Sequence, residues 1–168
     1  MSAVELVCFD LDGTLVDSER LCNQAFLELL PQLDETLEGM VARYRGVKFA
    51  PIAADLSRRI GHPLPDDFEA RYRARVAQLF DDELVPMPGV LDMIRQLSLP
   101  FCLVSNGPLA KMRHALTVTG LAPYLGSVCI VLTTWVSGSL IRVCSCTWPH
   151  NTGRHQRNAW WWKIARPA

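Results

Sequence analysis

The chain has 168 residues, 49% of them hydrophobic, and its 17 basic and 17 acidic side chains give a formal net charge of zero. This length favours one domain, or one domain with a small insert, and the composition is that of a globular protein that can build a core. The composition excludes disordered and collagen-like chains, and the balanced charge gives no electrostatic reason to expect a nucleic-acid partner.

The amino terminus and the cysteines indicate the compartment. No apolar run is long enough to cross a bilayer, and Glu5, with no basic stretch before it, argues against a signal peptide. Six cysteines in a chain without an export signal are expected to be reduced. We therefore expect a cytoplasmic monomer with no membrane partner.

The predicted elements alternate between strand and helix. An apolar run at 4–9 predicts a buried parallel strand, and the pattern then stays helical to about residue 84. Helices are expected within this block at 19–30, 37–44, 50–60 and 68–80. Asp17 or Ser18 is the expected cap of the first of them, and Asp66 or Asp67 that of the last. A helix at 90–97, a strand at 101–105 and a helix at 110–119 follow. This order predicts an α/β fold with a parallel sheet and a helical block inserted after the first strand.

Two carboxylates follow the first predicted strand. Asp10 and Asp12 stand two residues apart, and Gly13 allows a tight turn after them. Carboxylates at a strand end suit Mg²⁺, and a carboxylate can also serve as a nucleophile or as a general acid and base. A calcium loop is excluded because the twelfth position from Asp10 is Leu21, where that loop needs Glu.

The segment DLDGTLVDS at 10–18 resembles the first motif of the haloacid dehalogenase (HAD) superfamily, and LVSNG at 103–107 resembles its second motif. The resemblance implies a Rossmann-like α/β core, formed by 1–17 and 86–127, with an α-helical cap inserted at 18–85. Members of this helical-cap subgroup include proteins similar to β-phosphoglucomutase. Asp10 would be the nucleophile and a Mg²⁺ ligand. Asp12 would be the acid and base, and its backbone carbonyl would also bind the metal.

The same resemblance implies the residues that bind substrate. Ser105, Asn106 and Gly107 would bind the phosphoryl oxygens, in the second motif. Arg45 and Lys48 lie where cap residues that select the substrate are found in this subgroup, although both could equally be exposed cap charges. The next lysine in the chain, Lys111, is expected to lie on a helix surface.

The implied function is a Mg²⁺-dependent phosphatase that hydrolyses a small phosphorylated metabolite through an aspartyl-phosphate. The segment SNGPLAKM at 105–112 resembles bacterial phosphatases that act on 6-phosphogluconate, so a sugar phosphate is the expected substrate. Phosphoryl transfer of the phosphoglucomutase kind is one alternative. An inactive, truncated product is another.

The carboxyl-terminal quarter differs from the rest of the chain. No Asp or Glu follows Asp92, and all five tryptophans follow Ser127. The family resemblance implies a lysine after the third strand and a later acidic pair. Both are missing, because no lysine lies between Lys111 and Lys163 and no acid follows Asp92. A third strand is expected at 128–133, and no period continues beyond it, so we expect a disordered tail within 128–168. We interpret the tail as the product of a reading-frame change near 127–128, which the nucleotide sequence would test.

Overall fold

The computed structural model describes residues 7–99, 101–105 and 107–125, together with the backbone of 130–136 and 139–145. Its helices and strands are, in chain order, β1 (Val7–Phe9), α1 (Ser18–Leu29), α2 (Leu37–Tyr44), α3 (Phe49–Ile60), α4 (Phe68–Glu83), α5 (Val90–Gln96), β2 (Phe101–Ser105), α6 (Leu109–Val118), α7 (Ala122–Leu125), β3 (Ile130–Val136) and β4 (Ser139–Ser145). The α/β class and the inserted helical block are confirmed.

The strands form one sheet in the order β1-β2-β3-β4. The first three strands are parallel, with Phe9 opposite Leu103 and Ser105 opposite Leu132, while β4 runs antiparallel to β3. Because β1 and β2 are parallel neighbours, their carboxyl ends lie at the same edge of the sheet. The residues that follow these two strands are therefore brought together.

Part of the carboxyl-terminal prediction is wrong. The third strand expected at 128–133 exists as β3, two residues later, but β4 occupies a stretch in which the sequence shows no strand period. The expectation that no regular structure follows the third strand therefore fails over 139–145. The rest of the tail, 146–168, lies outside the described residues.

Two hydrophobic clusters support the sheet and the inserted helices. The first lies under the sheet and includes Leu11, Leu21, Phe80, Leu103 and Met112, all nearly or fully buried. The second lies among the inserted helices and is formed by Phe26, Leu30, Leu33, Met40, Tyr44, Ile52, Leu56 and Phe68. Helices α1 and α4 contribute side chains to both clusters, so they join the inserted block to the sheet.

The two linkers of the inserted block run side by side. Asp17 donates its backbone N–H to the Val85 carbonyl at 3.3 Å, and Met87 donates to the Leu15 carbonyl at 2.9 Å. The chain therefore enters and leaves the inserted block at one point. In the described part of the chain, no helix is long and apolar enough to cross a membrane.

Candidate functional site

Asp10 begins the site, because it is the first residue after β1. Its Oδ1 accepts a hydrogen bond from the Leu11 N–H at 2.8 Å, and its side chain faces a cavity between the sheet and the inserted helices. Partial loss of hydration raises the pKa of the Asp10 carboxyl. The Leu11 N–H opposes this shift, and the charges of Asp12 and Glu19 reinforce it.

Asp12 is held by two other elements. Its Oδ1 accepts hydrogen bonds from the Ser18 hydroxyl, at the start of α1, and from Lys111 Nζ, on α6, at 2.8 Å. Gly13 adopts a φ of 71°, which a residue with a side chain rarely adopts. This conformation makes the turn that separates Asp10 and Asp12 from the start of α1 along the chain. The acid predicted to carry protons therefore has a fixed position.

Lys111 is not the surface lysine that the sequence predicts. Its side chain is 24% exposed, lines the cavity and lies over the Phe80 ring, with Nζ 5.9 Å from the ring centroid. Burial alone would lower the pKa of Lys111, but the neighbouring Cys22 and Asp12 outweigh it and the pKa is raised. The sequence signal that could have found it is its place in the first turn of α6, directly beyond the end of β2.

The second predicted motif lies beside the first. Ser105 ends β2, is 3% exposed, and its Oγ accepts a hydrogen bond from the Gly107 N–H at 3.1 Å. A Cβ built on Gly107 would lie in van der Waals contact with Asp12 Oδ2, 3.6 Å away, so this part of the second motif lies directly beside that carboxylate. Ser105 and Gly107 both line the cavity with Asp10 and Asp12. Asn106 lies outside the described residues.

The two predicted cap residues have different surroundings. Lys48 lines the cavity and precedes α3, and its side chain has no ion pair among the described residues. Arg45 does not line this cavity, because its side chain is 72% exposed and pairs with Glu19 at 3.1 Å. Lys48 is therefore placed to contact a ligand, whereas Arg45 is placed to contact one only through Glu19.

The cavity has a volume of about 720 Å³. Its inserted-block wall includes aromatic and basic side chains that the sequence analysis did not single out, among them Phe49, Tyr72 and Arg73. Tyr72 stacks on Phe26 with the ring centroids 4.1 Å apart, and burial raises the pKa of the Tyr72 hydroxyl. This is space for a small organic molecule with the carboxylates at one end.

The groups of this site that could bind a metal ion are carboxylate and carbonyl oxygens. Among the residues that the structure describes, no group of three or more His, Cys, Asp or Glu side chains could together hold a metal ion. Mg²⁺ often binds through one or two carboxylates and takes its other ligands from water and phosphate. The Asp10 carboxylate and the Asp12 carbonyl fit that kind of site, and Asp12 Oδ1 is already used by Lys111 and Ser18.

Known proteins share this arrangement. The family model of haloacid dehalogenase-like hydrolases matches residues 4–138, which continues past the junction inferred at 127–128. A 6-phosphogluconate phosphatase from Escherichia coli is 41% identical over 119 residues, which are 69% of this chain and 54% of that protein. The chain therefore spans about half the length of this curated relative.

Two solved structures have the same fold. A haloacid dehalogenase-like protein from Agrobacterium tumefaciens has a TM-score of 0.66 and 26% identity, over 76% of this chain and 58% of its own. A haloacid dehalogenase family hydrolase from Deinococcus radiodurans, solved with bound phosphate and sodium, has a TM-score of 0.60 and 27% identity, over 75% of this chain and 56% of its own. The matched motifs, the inserted helices and the family model agree, and the chain belongs to the haloacid dehalogenase-like hydrolases.

Proposed function

We propose that this chain is a phosphatase that acts on a small phosphorylated metabolite, with a sugar phosphate as the substrate class and 6-phosphogluconate as the first candidate. The observation that carries the proposal is the convergence of Asp10, Asp12, Ser105 and Lys111 on one cavity. The relative from Escherichia coli supports the choice of substrate. The cavity volume of about 720 Å³ accommodates a molecule of that size.

The phosphoryl group would lie at the sheet end of the cavity. The Ser105 hydroxyl would donate a hydrogen bond to one phosphoryl oxygen, and Lys111 would supply positive charge to another. An Asp10 oxygen then attacks phosphorus, an acyl-phosphate bond forms between the carboxyl and phosphorus, and the bond from phosphorus to the substrate oxygen breaks. Asn106 remains a predicted phosphate ligand.

Asp12 would move the protons. In the first step it gives a proton to the departing substrate oxygen, and in the second it takes one from the water that attacks the phosphorylated Asp10. In the structure its Oδ1 is engaged by Lys111 and Ser18. Attraction of Lys111 to the bound phosphate would release Oδ1 for the proton transfers.

Mg²⁺ would be held by the Asp10 carboxylate and the Asp12 carbonyl, and when bound it would neutralise part of the phosphate charge. No acid after Asp92 is present to extend this set. Loss of one preorganised electrostatic group costs roughly 10²–10³ in rate, so we expect slow turnover.

The inserted helices would select the substrate. Lys48 lines the cavity, and Phe49 and Tyr72 form an apolar wall beside it. We propose that Lys48 binds an anionic or hydroxyl group at the end of the substrate away from the phosphate. Arg45 would act indirectly, by holding Glu19.

The test is phosphate release by the 168-residue chain, with and without Mg²⁺, across a panel of sugar phosphates that includes 6-phosphogluconate. We expect release that is lost in Asp10→Asn and retained in the matched control Asp66→Asn, which changes an exposed acid outside the cavity. No release from folded protein, or equal release by Asp10→Asn, would contradict the proposal. No release would favour the alternative of an inactive family member, whereas equal release by Asp10→Asn would exclude Asp10 as the nucleophile. A requirement for a sugar bisphosphate would favour the mutase instead.

A further inference from the structure

Two cysteines face each other behind the site, on the strands that carry its two motifs. Cys8 in β1 and Cys102 in β2 are register partners, and their sulfur atoms lie 3.3 Å apart. Cys8 precedes Asp10 by two residues, and Cys102 precedes Ser105 by three. The pair therefore joins the strand of the proposed nucleophile to the strand of the proposed phosphate ligand.

The backbone geometry suits a covalent bond between these two sulfurs. Neighbouring strands of a sheet lie about 4.7–4.9 Å apart, and disulfide-bonded cysteines usually have Cα atoms about 4.4–6.8 Å apart. Register partners on adjacent strands meet this Cα distance condition. The sulfurs need only approach from 3.3 Å to the bond length of about 2.05 Å.

The two sulfurs differ in their access to solvent. Cys8 is exposed, whereas Cys102 is only 7% exposed. An oxidant in solution therefore reaches Cys8 first. The buried neighbour is then in place to react with the oxidised sulfur, which is the arrangement of a reactive cysteine beside a resolving one.

We propose that Cys8 and Cys102 form an oxidation-dependent disulfide, so that this sheet carries a redox modification site next to the phosphatase site. The oxidant is a hydroperoxide. The Cys8 thiolate attacks its terminal oxygen, the O–O bond breaks, and Cys8 becomes a sulfenic acid while the peroxide is reduced to water or an alcohol. The Cys102 thiolate then attacks the Cys8 sulfur, the S–S bond forms, and hydroxide leaves and takes a proton as water.

The bond would close a long loop, because the two cysteines are 94 positions apart and the whole inserted block lies between them. A crosslink that closes a long loop restricts the unfolded chain more than one that closes a short loop. Oxidation should therefore raise the resistance of the chain to unfolding. The inference concerns the thiols alone and does not depend on the proposed function.

The experiment treats the intact chain with one equivalent of hydrogen peroxide, blocks the remaining thiols by alkylation, and maps the disulfides by mass spectrometry of unreduced peptides. We expect a peptide pair that joins Cys8 to Cys102 and disappears after reduction. We also expect a higher urea midpoint for the oxidised chain. Both effects should be lost in Cys8→Ser and kept in the control Cys22→Ser, which changes a cysteine on α1.

Three results would overturn the inference. The first is a bond from Cys8 or Cys102 to any other cysteine. The second is oxidation of Cys8 beyond the sulfenic acid while Cys102 remains reduced. The third is a urea midpoint that rises equally in oxidised Cys8→Ser, since that rise could not come from this pair. Cys8 is exposed, so its serine variant should fold, and the comparison does not rely on a change at the buried Cys102.

Discussion

Lys111 determines how the proposed acid and base is held. Its Nζ lies 2.8 Å from Asp12 Oδ1 and lines the cavity into which Asp10 and Ser105 also project. The lysine that the family resemblance places after the third strand is missing, because none lies between Lys111 and Lys163. Lys111 is therefore the described cation that is best placed to offset the charge of a bound phosphate.

This role predicts the effect of Lys111→Met on phosphate binding. Hydrogen bonds to charged groups contribute about 1.5–3 kcal/mol, so the affinity for inorganic phosphate should fall about tenfold to a hundredfold. Lys111→Arg should restore much of it. Isothermal titration calorimetry measures the affinity, and Lys48→Met is the matched control, because Lys48 lines the same cavity and precedes α3 on the inserted-block side. Equal losses in the two methionine variants would contradict a specific role for Lys111.

At the scale of single residues, the sequence was most informative at strand ends. Asp10 and Asp12 follow one predicted strand and Ser105 ends another, and because parallel strands end at one edge of the sheet, their proximity follows from the topology. Lys111 was missed because it lies on a helix, where the sequence pattern does not indicate which neighbours cover a side chain. Its burial depends on Phe80 and Asp12, which are distant in the chain.

Within the inserted block, helices α2 and α3 are joined by a polar network. The Tyr44 hydroxyl donates to Asp55 Oδ2 at 2.6 Å, and Arg59 donates both to the Tyr44 oxygen at 3.3 Å and to Glu35 at 3.0 Å. The hydrogen bond from Tyr44 lowers the pKa of Asp55 below its ordinary value of 3.8, and Arg58 and Arg59 add to this effect. The folded block therefore favours the ionised form of Asp55 over its protonated form.

The sign of this shift predicts an acid-sensitive inserted block. A lowered pKa in the folded state stabilises the protein above pH 3.8, and that contribution is lost as the pH falls through the lower, folded value. Asp55→Asn should lower the free energy of unfolding by about 0.5–1.5 kcal/mol at neutral pH, because a hydrogen bond is weakened. Below pH 3 the difference between the variant and the natural chain should shrink.

Urea unfolding at pH 7, 4 and 2 measures this difference. Asp66→Asn is the control, since Asp66 is an exposed acid in the same block. If Asp55→Asn keeps the same loss of stability at all three pH values, the ionised carboxylate is not the stabilising group.

At the scale of helices and strands, apolar periodicity located the long helices to within a few residues, and the capping was less predictable. Asp17 and Asp67 precede α1 and α4 as expected, yet neither side chain makes a capping hydrogen bond. Ser18, the other expected cap of α1, donates to Asp12 instead. A contact within the site therefore took the place of a local cap. The four-residue α7 was not predicted, since it is too short to show a period.

In the whole molecule, β1 lies at one side of the sheet and pairs only with β2 among the described strands. Its second edge therefore has backbone N–H and C=O groups without a strand partner in that part of the chain. Such edges tend to pair with other chains unless charges or short length prevent it. The exposed residue of this strand is Cys8, which carries no charge to oppose pairing.

This edge predicts that the chain is a monomer when dilute and self-associates as its concentration rises. Cys8→Lys should reduce the association, because a lysine on an edge strand disfavours pairing between strands. Sedimentation velocity over a hundredfold range of concentration, under reducing conditions, measures the fraction associated. Cys8→Ser is the matched control, since it removes the sulfur without adding charge. If both variants associate as the natural chain does, the contact lies elsewhere. If both remain monomeric, the Cys8 sulfur rather than the strand edge makes the contact.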